Sequence, residues 1–178
     1  MKIIDKSIKW AGKYLNFLHY HLDDGRIYEV CSRKQHPNPK KSDAVSIIAF
    51  NKIQNKVCLI KEYRVPAEGY IWSFPAGLRD LDEDPEATAA RELFEETGLT
   101  YEKTLMITSP SFQSPGMTDE NVVTVFCIAS GEPQPKGENT EDIIEAKWVD
   151  KEEVANIITQ PISARCQMFL MMWGQVPF

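Results

Sequence analysis

Gly77-Leu78-Arg79-Asp80-Leu81-Asp82-Glu83-Asp84-Pro85-Glu86-Ala87-Thr88-Ala89-Ala90-Arg91-Glu92-Leu93-Phe94-Glu95-Glu96-Thr97-Gly98-Leu99 decides how the rest of the chain reads. Asp84 and Pro85 predict the start of a helix. An aspartate can cap free N–H groups, and proline at the first helical position gives up an N–H that has no partner there. Gly98 predicts the end of that helix in a left-handed cap. Between them, Glu92, Glu95 and Glu96 stand at i, i+3 and i+4, which brings their carboxylates to one side of the helix. Clustered carboxylates repel unless a counter-charge sits among them. A hard divalent cation takes carboxylate oxygens while leaving positions for water and phosphate. Ala87, Ala90, Leu93 and Phe94 are expected on the other side, packed on a sheet. Arg91 adjoins the acids and can brace Glu83 or a glutamate one turn away.

An acidic helix face by itself is commonplace. The full pattern runs glycine, five residues, glutamate, seven residues, Arg-Glu, an apolar residue, one residue, Glu-Glu, one residue, glycine and an apolar residue. At average residue usage it arises on the order of once in a billion windows. It resembles the Nudix box at every fixed position from Gly77 to Leu99. The resemblance implies an α/β fold, the Nudix α/β/α sandwich with a mixed sheet. It also implies hydrolysis of nucleoside diphosphates linked to another group, with Mg²⁺ or Mn²⁺. Carried over residue by residue, it makes Glu92, Glu95 and Glu96 metal-site residues, with the backbone carbonyl of Ala76 as a further ligand and Glu83 in support.

The flanks narrow the resemblance. Glu62-Tyr63-Arg64-Val65-Pro66, Phe74-Pro75-Ala76-Gly77-Leu78 and Ser114-Pro115-Gly116-Met117-Thr118-Asp119-Glu120 look like the ADP-ribose (ADP-sugar) pyrophosphatase branch. Pro115 falls where that branch characteristically has a proline. The branch implies a homodimer built through a small N-terminal sheet whose aromatic residues sandwich adenine. Tyr14 and Tyr28 are the matching stacking candidates, and Glu29 a partner for the adenine edge. Arg33 and Arg64 are candidate diphosphate clamps, since guanidinium forks match phosphate oxygens. The catalytic base is expected from the loop Gly137-Glu138-Asn139-Thr140-Glu141-Asp142, with Glu141 the first choice and Glu138 the second. Two positions depart from the branch. Ser73 stands where many relatives have glutamate, and tyrosines stand at stacking positions that hold tryptophan in a close relative. Other substrates therefore stay open: GDP-mannose, other nucleotide sugars or oxidised nucleotides, or ligand sensing without catalysis.

The remaining organisation fits this frame. The 178 residues are 43% hydrophobic and 26% charged, ordinary for a globular chain. The net charge of −6 argues against a nucleic-acid partner. No apolar run approaches the ~20 residues that span a bilayer, and the charged start has no signal-peptide core, so a cytoplasmic protein without a membrane partner is expected. Cys31, Cys58, Cys127 and Cys166 form no CxxC pair and read as reduced thiols. Alternating runs on either side of Asp23-Asp24-Gly25 predict a hairpin. Pro37-Asn38-Pro39 predicts a linker, which divides the chain into a small sheet over 1–40 and a main domain over 41–178. Strands are expected near 44–50, 57–63, 71–74, 105–108, 122–129 and 145–149, and helices over 151–158 and 164–173.

Overall fold

The computed structural model describes residues 1–33, 42–53, 55–80, 82–136 and 143–174. They form two compact units. One comprises residues 1–44 and 109–123, the other 45–108 and 124–178.

The first unit holds an antiparallel sheet in the order β1 (Ile3–Ala11), β2 (Asn16–Leu22), β3 (Ile27–Ser32). β2 alternates strictly, burying Asn16, Leu18, Tyr20 and Leu22 and leaving Phe17, His19 and His21 half-buried, as a strand with one covered face should. The expected hairpin closes at 23–25, with the Leu22 N–H donating to the Arg26 carbonyl at 2.9 Å. Residues 109–123 join this unit through the Cys31 N–H, which donates to the Met117 carbonyl, and the Ser32 hydroxyl, which donates to Asp119.

The second unit contains β4 (Ala44–Asn51), β5 (Lys56–Arg64), β6 (Gly69–Ser73), β7 (Ala76–Leu78), α1 (Pro85–Thr97) and β8 (Thr100–Ile107). β9 (Ser111–Phe112) belongs to the first unit and pairs with Asn121 and Val122. β10 (Asn121–Ser130), β11 (Ile143–Val149), α2 (Val154–Ile157) and α3 (Ala164–Gly174) follow. The sheet order is β11-β5-β4-β10-β8, with β6 on β5 and β7 on β4. Period-two alternation sorts β5. Val57 and Leu59 join Trp72, Phe74, Ile157 and Leu170 in the core under α2 and α3. Cys58, Ile60 and Glu62 point to the opposite face, where α1 lies and where Cys58 feels the charge of Glu96. The result is helix, sheet, helix in layers.

α1 is built as its sequence predicts at both ends. The Asp84 carboxylate accepts from the Glu86 N–H at 2.8 Å, and Gly98 adopts φ 68°, which favours glycine. Its faces differ from expectation. Thr88, Ala89, Leu93 and Thr97 form the buried stripe, whereas Ala87 is exposed and Phe94 is 50% exposed. Glu92 lies beside the buried stripe, so the acidic side of the helix is the side that meets the sheet. Phe94 is left outside, under the ammonium of Lys136. The helix expected over 151–158 is regular only at 154–157, because Asp150 and Glu153 first close a reciprocal capping box, each carboxylate accepting the other's backbone N–H. Among the described residues no helix is long and apolar enough to cross a membrane.

Leu93 is the fully buried anchor of α1. Leu93→Ala should cost about 2–5 kcal/mol in urea unfolding; a loss below ~1 kcal/mol would mean that other contacts hold the helix.

Candidate functional site

The box helix delivers its acids to one stretch of backbone. Glu96 Oε2 accepts the Ala76 N–H at 3.0 Å. The Glu92 carboxylate lies against Gly77 so closely that a Cβ built there would sit 1.9 Å from its carboxyl carbon. Only glycine permits that approach. Arg91 reaches around the helix to Glu92 Oε1 at 2.7 Å, Glu83 Oε2 at 3.2 Å and Glu95 Oε2 at 3.4 Å. The sequence offered Glu83 or a glutamate one turn away as the partner, and Arg91 meets both. Arg79 Nε donates to the Glu83 carbonyl, which fixes the turn that carries Glu83. Glu95 differs from its neighbours: it is 49% exposed and lies at the rim.

The electrostatics follow from this packing. Burial pushes the Glu96 carboxyl up to about 8, only partly opposed by the Ala76 N–H and reinforced by the charges of Glu62 and Glu92. Burial also raises Glu92, against the pull of Arg91. Glu83, hydrogen-bonded by Arg91, is lowered. Among the described residues, no three His, Cys, Asp or Glu side chains are grouped tightly enough to enclose a metal ion. Like charges separate, and each acid turns to its own donor, Glu92 to Arg91 and Glu96 to the Ala76 N–H. Two acids beside one backbone stretch, both made costly to ionise by burial, nevertheless form a donor set that fits a hard divalent cation.

Glu62 is a component that the sequence reading quoted without assigning. It is 4% exposed, accepts the Ser73 hydroxyl at Oε1 at 2.5 Å, and pairs at Oε2 with Arg64 Nη2 at 2.7 Å. Ser73 thus touches a carboxylate supplied by the neighbouring strand. The only available signal was a charged residue at an inward position of an apolar strand.

Of the other candidates, Tyr14, Tyr28, Glu29, Arg33 and Pro115 lie in the first unit. Tyr28 and Pro115 line one cavity of about 240 Å³, together with Tyr20, Phe112, Met117 and Asp119. The Tyr28 hydroxyl donates to the Gly116 carbonyl at 2.9 Å. Tyr14, 69% exposed, and Glu29, opposite His19 on the sheet, are not lining residues of that cavity. Arg33 Nε meets Glu120 Oε1 at 3.0 Å. Glu138 and Glu141 lie outside the described residues.

Comparison with known proteins gives the family of the chain. Residues 40–166 match the family model of the NUDIX domain. The chain belongs to the Nudix family. Within it, the chain is similar to an ADP-ribose pyrophosphatase of Bacillus subtilis, 35% identical over 70% of this chain and 64% of the relative. An ADP-sugar pyrophosphatase of Mus musculus is 40% identical over 54% of this chain and 48% of its own length. The chain therefore spans between about half and two thirds of these curated relatives. A solved structure of an ADP compounds hydrolase superposes with a TM-score of 0.73 at 21% identity, covering 96% of this chain and 91% of that one, and shares its fold.

Two outcomes are expected. Gly77→Ala should leave the melting temperature within a few degrees, because only the end of Glu92 must move, yet weaken Mn²⁺ binding about 10-fold or more; unchanged Mn²⁺ affinity by electron paramagnetic resonance would contradict the role of this close approach. The raised Glu96 carboxyl also sets a pH dependence. Between its ordinary value of 4.5 and about 8, the folded state keeps a proton that the unfolded state releases. The resulting stability is complete below the lower value and lost as pH rises through the upper one. Since a cation must displace that proton, Mn²⁺ should raise the melting temperature more at about pH 8.5 than at about pH 6. Equal shifts at both would count against it.

Proposed function

We propose that the chain is a divalent-metal-dependent pyrophosphatase that cleaves ADP-ribose to AMP and ribose 5-phosphate. The observation that carries this reading is the convergence of Glu92 and Glu96 on the backbone at 76–77. Membership of the Nudix family and similarity to ADP-ribose and ADP-sugar pyrophosphatases support it. Glu92, Glu96 and the Ala76 carbonyl would hold Mg²⁺ or Mn²⁺, with Glu95 at the rim and Arg91 bracing the acids. Such cations neutralise charge on the diphosphate and acidify the attacking water.

The chain's own residues divide the remaining work. Arg64 forks the diphosphate oxygens. Glu141, or failing it Glu138, accepts the proton of the attacking water. Tyr28 and Pro115 offer apolar walls to the adenine ring, Tyr14 a second ring, and Glu29 an acceptor for the base edge. A homodimer formed through the small sheet is part of the same reading. It is supported by β1, an edge strand on which Ile3, Ile4, Ile8 and Trp10 are exposed. So is a cytoplasmic setting, in which a small nucleoside diphosphate, and neither nucleic acid nor membrane, is the partner.

Incubation with ADP-ribose and Mg²⁺ in ¹⁸O-water, followed by mass spectrometry, should yield AMP and ribose 5-phosphate with the label on one of them. Faster turnover of GDP-mannose or of nucleoside triphosphates would replace the substrate, and binding without turnover would point to a sensor. Glu96→Gln should stay folded and lose turnover by about two orders of magnitude or more; near-normal activity at saturating Mg²⁺ would remove Glu96 from the site.

A further inference from the structure

Glu62 poses a problem that fold stability does not solve. It stands on β5, within the second unit, on the face that carries Cys58 and Ile60 toward α1. A carboxylate there is desolvated, and an apolar side chain of similar volume would satisfy the same space at lower cost. Its charge also acts against Glu96, adding repulsion to a carboxyl already disfavoured by burial. A residue that conflicts with local stability in this way marks a functional demand.

The geometry states what that demand is. Both Glu62 oxygens are committed. Ser73, reaching diagonally from β6, donates to Oε1, and Arg64 approaches Oε2 at 2.7 Å. The β5–β6 register pairs Glu62 with Ile71 and Ile60 with Ser73, so the strand pair itself fixes the serine beside the glutamate. Glu62 and Arg64 are two residues apart on one strand and so share a face. The glutamate is 4% exposed while the arginine is 45% exposed: the buried acid is the anchor and the guanidinium its outward end. Arg64 carries a long side chain with much rotamer freedom, and an arginine held from beneath loses less of it when it meets a ligand.

We propose that Glu62 is a positioning residue that, locked by Ser73, holds Arg64 and aims its guanidinium on the α1 face of the sheet for the diphosphate of the substrate. A planar guanidinium can present one edge to this carboxylate and another to phosphate oxygens, so the anchor need not be released when substrate binds. The inference rests on the reading of Arg64 as a diphosphate clamp.

Calorimetry with α,β-methylene-ADP in Mg²⁺, a diphosphate that cannot be cut, tests both levels separately. Arg64→Ala should weaken binding about 10-fold or more, Glu62→Gln about 5-fold, and Ser73→Ala by less in the same direction. The double variant should be no weaker than Arg64→Ala alone, because the glutamate acts through the arginine. With ADP-ribose, Glu62→Gln should raise KM and leave kcat nearly unchanged. Wild-type affinity in Glu62→Gln alongside a weakened Arg64→Ala overturns the positioning role and leaves the clamp standing, as do losses that add in full. Wild-type affinity in Arg64→Ala overturns the clamp, and the positioning role with it. If Glu62→Gln fails to fold, Ser73→Ala decides, and unchanged affinity there overturns the proposal.

Discussion

A carboxylate pressed against a glycine backbone is the contact around which the acids of the second unit are arranged. The Glu92 carboxyl group occupies the space that any side chain at 77 would fill. The packing of α1 beside β7 holds the carboxylate there. Asp84 and Gly98 fix the ends, Ala89 and Leu93 seal the stripe, and Glu96 takes the Ala76 N–H. The distance between helix and strand is therefore maintained by apolar burial and read out as carboxylate position.

The arrangement carries its own electrostatic conflict. Glu62, Glu92 and Glu96 are all withdrawn from water on the same side of the sheet; burial makes ionisation of Glu96 costly, and the charges of Glu62 and Glu92 add to that cost. Two arginines relieve this from different directions. Arg91 spans Glu83, Glu92 and Glu95 on the helix, while Arg64 holds Glu62 on the strand. Relief is incomplete, and burial still holds the Glu96 carboxyl above its ordinary value.

Much of this was legible in the sequence. The helix limits followed from Asp84-Pro85 and Gly98 because capping is local chemistry. The Arg91 brace followed from helical spacing, and the hairpin from its Asp-Gly turn. The helix faces were read wrongly because periodicity assigns apolar residues to the core. Here Phe94 is displaced outward under Lys136, and Glu92 and Glu96 face the backbone at 76–77. Glu62 went unassigned because its meaning depends on Ser73, a partner on the next strand whose distance in space is set by strand register. The cavity joining Tyr20, Tyr28 and Pro115 was likewise out of reach, since its walls come from segments more than eighty residues apart.

The sequence by itself determined the family, the cluster of acids and the boundaries of the helix that bears them, because each is encoded within a few consecutive turns of chain. Tertiary structure alone decided which acids are buried, which arginine each one meets and where a carboxylate is contributed across strands. Burial and pairing are properties of surfaces that come together only after the sheet has formed, and the free energy of a charge depends on what surrounds it.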